Sequence, residues 1–315
     1  MAVTVAEYLG VDVQSAVSID PVSYLGTATP SCPFRNGHCD KVAQGLKPIC
    51  SVRDGGGELW ISCRHRLCAT SPKDEPLTQY QVDVLLQISR TLFGSHLVPS
   101  DIAVRREVPV RTEGRSPSYA DYVMIPKTSA TSGDFVRRNL GPVVLEMQGG
   151  GETSNTGSLT SQVDTWEKAA SPRTMMSILK TTVSNVNTIE ANAWRRQQEQ
   201  FLYKGNVAVN SHGRLAFVVG TKLYDYLIKN IGIDTVLDLR NGNWTLAIIG
   251  VSEDRSTTPS AWGTGSSVRL QVDQSRLLFT SYARFVQAIV NQGAVDDSLF
   301  KGAFVLLDGT EVVID

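Results

Sequence analysis

Apolar and polar positions change period several times along this chain, and the changes outline a mixed α/β protein. Over residues 102–111 the apolar side chains alternate, with Val104, Val108 and Val110 on one parity, as a half-buried strand requires. Residues 119–126 and 142–148 read as two further strands. Ahead of them Leu77, Val82, Leu85, Ile88, Leu92 and Phe93 follow a helical stripe that Gly94 can end. Asp74-Glu75-Pro76 suits the start of that helix, because Pro fits a first turn and acids favour the positive end of the dipole. A Gly/Ser/Thr-rich loop (149–161) leads to helices near 162–170 and 185–204, a strand at 215–219 and a helix at 221–230. Strands near 244–251 and 267–272 and a helix near 279–291 complete the pattern. Residues 4–10 read as a short helix. Residues 11–75 read as loop, broken by five prolines and Gly55-Gly56-Gly57. The chain thus divides into an N-terminal segment, 1–75, and a core, 76–315. The core order is helix, strand, strand, strand, helix, strand.

Composition adds little: 42% hydrophobic and 19% charged residues suit an ordinary globular protein. The first residues lack the basic start and apolar run of a signal peptide, and no stretch approaches the roughly 18 apolar residues of a membrane span. The expectation is a cytoplasmic protein, where clustered cysteines point to metal binding rather than disulfides. The net charge of −1 hides an uneven distribution. Residues 168–222 hold eight Lys or Arg against Glu190 and Glu199, whereas residues 223–315 are net acidic. A basic middle suggests one face turned toward a polyanion.

Chemistry concentrates on two strands. Asp121 lies in Tyr119-Ala120-Asp121-Tyr122-Val123, and the next strand carries Glu146 and Gln148. Residues i and i+2 of a strand share a face, so Glu146 and Gln148 converge on one spot that Asp121 can reach from the neighbouring strand. Carboxylates are hard oxygen ligands suited to Mg²⁺. Phosphodiester hydrolysis needs such an ion to activate water and neutralise charge on the phosphate. The element order and the Asp…Glu-x-Gln pattern match the PD-(D/E)xK nuclease core, with Gln148 where most members carry Lys. An amide can hydrogen-bond water but cannot supply charge. Glu107, on the first strand, is a third candidate acid. Ser158 and Ser161 have no His and Asp in triad-like order, which argues against serine hydrolysis.

The second concentration is five cysteines between Cys32 and Cys68. Four thiolates in a tetrahedron hold Zn²⁺ or Fe. The spacings from Cys32 through Cys39 and Cys50 to Cys63 leave 6, 10 and 12 intervening residues, wider than a paired Cys-x-x-Cys ribbon. Buried free cysteines are the alternative. The loop-rich context favours a metal staple.

Taken together, Cys32-Pro33-Phe34, the single cysteines, Trp60-Ile61-Ser62-Cys63 followed by basic residues, and then the Asp and Glu-x-Gln strands resemble the NotI family of type II restriction endonucleases. The resemblance runs from about residue 5 to about residue 230. It implies a PD-(D/E)xK core, a mixed central sheet flanked by helices, with an N-terminal loop-rich four-cysteine metal-binding module. It implies a single iron, or zinc, on Cys32, Cys39, Cys50 and Cys63, with Cys68 either substituting for Cys63 or free. It places the catalytic acids on Glu107, Asp121 and Glu146, with Mg²⁺ held by Asp121 and Glu146, and the Gln on Gln148. Phe201-Leu202-Tyr203-Lys204 resembles a Tyr/Lys-bearing helix of the family. A bacterial homodimer is implied, cutting both strands of a GC-rich palindrome in double-stranded DNA, with a cognate DNA methyltransferase in the same cell.

Arg and Lys read guanine edges and bind phosphates. The candidates for DNA contact are Arg64, His65, Arg66, Arg137, Arg138, Lys180, Arg195 and Arg196. Two rival functions fit the same features: a non-catalytic DNA-binding regulator with a four-cysteine metal module, and a methylation-dependent or repair nuclease on the same core.

Overall fold

The computed structural model describes residues 2–22, 29–69, 75–112, 114, 116–127, 141–151, 153–232, 236–255, 266–290 and 301–314. Its strands are β1 Ala2–Tyr8, β2 Val11–Asp12, β3 Ile49–Asp54, β4 Leu59–Ile61, β5 Ile102–Val110, β6 Ser118–Pro126, β7 Val143–Gln148, β8 Val183–Ser184, β9 Arg214–Gly220, β10 Leu246–Glu253, β11 Leu270–Thr280, β12 Gly302–Val305 and β13 Glu311–Ile314. Its helices are α1 Asp40–Ala43, α2 Gln79–Phe93, α3 Thr156–Glu167, α4 Met176–Leu179, α5 Glu190–Asn210, α6 Thr221–Ile231 and α7 Tyr282–Val290. None of the described helices is long and apolar enough to cross a membrane.

The central sheet is mixed, in the order β11-β10-β9-β7-β6-β5. The pairs β5–β6 and β6–β7 are antiparallel, β7–β9 and β9–β10 are parallel, and β10–β11 is antiparallel. Alternation splits β7 between two cores. Val143, Leu145 and Met147 face the cluster that contains Leu85, Ile88 and Leu92 of α2. Val144 faces the opposite cluster, built with Trp194 and Phe201 of α5 and Leu223 of α6. Glu146 and Gln148 share the parity of Val144, so their side of the sheet is the one covered by α5.

Two of the sequence expectations change. Residues 4–10 are not a helix. Val3, Thr4 and Val5 are β-branched and pack well on a pleated surface, and β1 pairs with both β3 and β8. The N-terminal segment is correspondingly less loop-rich than its prolines suggest, since β1–β4 form a second sheet together with β8. Helix α2 starts at Gln79 rather than beside Pro76. Thr78 caps it reciprocally: the Gln81 N–H donates to Thr78 Oγ1 at 3.2 Å and the Thr78 N–H to Gln81 Oε1 at 2.9 Å.

The two sheets are joined at the end of β7. The N–H groups of Gly150 and Gly151 donate to Ile61 O of β4 at 2.8 and 3.2 Å, and Trp60 Nε1 donates to Gly151 O at 3.1 Å. A Cβ on Gly150 would lie 2.4 Å from the Trp60 ring, and one on Gly149 2.7 Å from Ile61 O. Only glycine permits this approach, which seats the cysteine-bearing sheet against the strand that carries Glu146 and Gln148.

Candidate active site

The register of the central sheet brings three acids into one row. Arg106 pairs with Tyr122 and Val108 with Ala120, so Glu107 stands opposite Asp121. Tyr122 pairs with Leu145, and the next step along the same register sets Asp121 beside Glu146. Directly opposed residues share a face, so Glu107, Asp121 and Glu146 line the side of the sheet under α5. Asp121 is held there by the Met147 N–H, which donates to its Oδ2 at 2.8 Å.

Glu107 occupies the row with a left-handed backbone, φ 47. A bulky non-glycine residue in a strand seldom adopts that conformation. The strain predicts an unusual stability order: Glu107→Gly should be more stable than Glu107→Ala by about 1 kcal/mol, because only glycine relieves the backbone. Chemical denaturation checks it, and an alanine variant as stable as the glycine variant would remove the strain from the account.

Helix α5 delivers the missing charge. Lys204 Nζ donates to Glu146 Oε2 at 2.6 Å and to Gln200 Oε1 at 3.0 Å. Both partners of the ion pair are buried, Glu146 at 5% and Lys204 at 1% exposure. The other carboxylate oxygen, Glu146 Oε1, is buried without a hydrogen-bond partner. Burial, then the neighbouring Asp121 carboxylate, push the Glu146 carboxyl up to about 8 against the pull of Lys204. Position 148 carries Gln, and the cation beside Glu146 comes from α5 instead. The sequence named Lys204 only within a helix resemblance, without a role. The signal available was a Lys on the helix between the third and fourth core strands.

The cysteines gather beyond the end of β7. Cys32, Cys39, Cys50 and Cys63 line a cavity of about 660 Å³ whose lining also includes Gln148, Thr153 and Arg196. The Cys50 and Cys63 thiols are hydrogen-bonded, which raises Cys50 and lowers Cys63 to about 5. Burial raises Cys32 and Cys39. Among the described residues no group of three or more His, Cys, Asp or Glu side chains is arranged to hold a metal ion. Cys68 stands apart. It is 1% exposed and does not line the cavity, and burial pushes its thiol far up.

The basic candidates separate into distinct situations. Arg64 and His65 line the cavity and both bind Asp40, at 2.8 and 2.7 Å. Arg66 is no surface reader: it is fully buried, donating from Nε to the Glu7 carboxylate at 3.0 and 3.1 Å and also bonding Tyr80 Oη and Val268 O. Burying a guanidinium requires such saturation, so a Glu7 that sequence reading passed over claims this arginine. Lys180 is tied to Gln14 O and Ala16 O at 3.1 and 3.2 Å. Arg195 and Arg196 are exposed on α5, and Arg196 also borders the recess beside Gln148. Arg137 and Arg138 lie outside the described residues.

A scan against protein-family models finds none that matches the chain, and a search of curated proteins finds no match.

Proposed function

We propose that this chain is a Mg²⁺-dependent type II restriction endonuclease of the NotI kind, cutting both strands of a palindromic double-stranded DNA site and leaving 5′-phosphates. One observation carries the proposal: Glu107, Asp121 and Glu146 fall in a single row across adjacent strands, and Lys204 reaches the last of them from α5. The strand order β5-β6-β7-β9, with β7 parallel to β9 and with α2 and α5 packed on opposite faces, supports a PD-(D/E)xK core.

The chemistry of the donors supports a hard divalent cation. Glu146 Oε1 is a buried oxygen with no partner, and Asp121 lies beside it in the same row. Mg²⁺ bound there would supply Lewis acidity toward water and toward the scissile phosphate. Lys204 contributes fixed positive charge in a site with little water, where it acts strongly on a developing phosphate charge. Gln148, two residues on from Glu146 on the same face, can orient the attacking water by hydrogen bonding. Glu107 borders the site as a third acid. The cavity between Gln148 and the cysteines supports a shared DNA-facing surface, with Arg64, His65 and Arg196 on its walls. Four cysteines would hold the structural iron or zinc. A two-fold dimer on a palindrome follows from one site per chain and two strands to cut, and a cognate methyltransferase protects the host sequence.

The test is a digest of methylated and unmethylated DNA with Mg²⁺, with the ends sequenced. Double-strand breaks at one palindrome with 5′-phosphates are expected. Asp121→Ala should lose cleavage yet bind the same duplex in Ca²⁺. A chain that binds a specific site but never cuts it would favour the regulator, and cutting only of methylated DNA the methylation-dependent nuclease.

A further inference from the structure

The hairpin β12–β13 is well formed and almost uncovered. Ala303 pairs with Val313, Phe304 with Val312 and Val305 with Glu311. Its turn is closed by Leu306 N–H to Thr310 O at 2.7 Å and by Thr310 N–H to Asp308 Oδ1 at 2.9 Å, with Gly309 in the left-handed region its turn demands. Yet Phe304, Val305, Leu306, Leu307, Val313 and Ile314 are all exposed, Val305 at 65% and Val313 at 75%. No residue of the hairpin belongs to either hydrophobic core. Both of its faces are apolar, so no register turns the apolar set inward. A lone two-stranded hairpin is at best marginally stable in water.

A second uncovered apolar feature lies where the chain leaves for this hairpin. Between α5 and α7 is a groove of about 470 Å³, lined by Val209, Tyr282, Ala283, Val286 and Val290 with a few amides at its rim. We infer that the hairpin of one copy docks in the α5–α7 groove of a second copy of this chain, and that the exchange is reciprocal about a two-fold axis. The area supports it. Six large apolar side chains make a strip of a few hundred Å², near the upper end of what a monomer leaves bare. In a reciprocal exchange each copy contributes one strip and one groove, so the two contacts together reach the low end of the total area of a specific interface, about 1,200 Å². Charge agrees: the ionised groups around the hairpin turn are Asp308 and Glu311, and α7 exposes Arg284. Exchange of identical elements closes a dimer without building any new surface.

The interface is independent of the chemistry at Glu146, and its test needs no DNA. Full-length chain should sediment as a dimer. Phe304→Asp, a change at an exposed position, should sediment at half that mass with an unchanged circular dichroism spectrum, and Val286→Arg in the groove should do the same. Phe304→p-benzoylphenylalanine in a tagged chain, irradiated with untagged chain present, should cross-link between copies to α7. Three results would overturn the proposal: a monomeric wild type, an undiminished Phe304→Asp dimer, or cross-links confined to one chain. Loss of cleavage in an Asp121→Ala protein that still dimerises through the hairpin would separate this surface from the nuclease site.

Discussion

Lys204→Met is expected to lower Mg²⁺-dependent DNA cleavage about 100- to 1000-fold, the usual effect of removing one preorganised charge from a reacting centre, while the fold survives. The survival follows from the environment of Glu146. With Lys204 gone, burial and Asp121 keep the Glu146 carboxyl protonated and neutral, so no unpaired charge is stranded. The reverse truncation behaves differently. Glu146→Ala leaves the Lys204 ammonium 1% exposed with only Gln200 Oε1 as a described partner, a loss of about 3–5 kcal/mol for an uncompensated buried charge. Glu146→Gln is therefore the informative change at this position: it keeps an acceptor for Lys204 and removes the ligand charge. Cleavage should fall as steeply as in Lys204→Met, with a melting temperature close to the parent. Wild-type cleavage in Lys204→Met would remove the helix cation from the chemistry.

The same pair sets a pH dependence whose sign can be worked out. The Glu146 carboxyl sits at about 8 in the folded chain against an ordinary 4.5. A raised carboxyl contributes stability that is fully present below 4.5 and is lost as pH rises through about 8. Metal-free protein should accordingly lose stability across that window, and Glu146→Gln should flatten the loss. Mg²⁺ binds the deprotonated carboxylate, so below about 8 each ion bound expels a proton. At limiting Mg²⁺ cleavage should climb with pH up to that value, and saturating Mg²⁺ should shift the rise to lower pH. A rate independent of pH at limiting Mg²⁺ would count against Glu146 as a ligand.

Cys50→Ser or Cys63→Ser is expected to abolish both metal retention and cleavage, although every acid of the proposed site is intact. Structural metal binding contributes directly to folding, on the order of 10 kcal/mol in small modules. The damage should travel, because β4 is bonded through Ile61 O and Trp60 to the glycine loop that follows β7. Cys68→Ser should retain the metal, since Cys68 is buried away from the cavity that the other four line. Elemental analysis of purified chain, expected to give about one iron or zinc, provides the stoichiometry for each variant. Less than half an equivalent in folded wild-type protein would end the four-cysteine assignment.

Local pattern was enough to find the strands that hold the site. Alternation over 102–111 and 142–148 reports the side-chain period of a single strand, and β5, β6 and β7 appear close to the expected limits. The i, i+2 relation of Glu146 and Gln148 is likewise a property of one strand, so the sequence alone determined that these two share a face. The contribution of Glu107 was only partly legible. Its row opposite Asp121 depends on inter-strand register, and its left-handed backbone on strain that the surrounding sheet sustains. The pairing of Lys204 with Glu146 needed the tertiary structure, because a contact across 58 residues of sequence depends on how α5 docks over the sheet. Arg66 shows the converse. Beside Arg64 and His65 it reads as one more surface cation, yet Glu7, Tyr80 and Val268 converge on it from three distant segments and draw it inside. Residues 4–10 turned on the same cause: β1 is a strand because β3 and β8 supply its hydrogen-bond partners. Periodicity records what a segment can bury, whereas the partner that buries it is chosen by contacts distant along the chain.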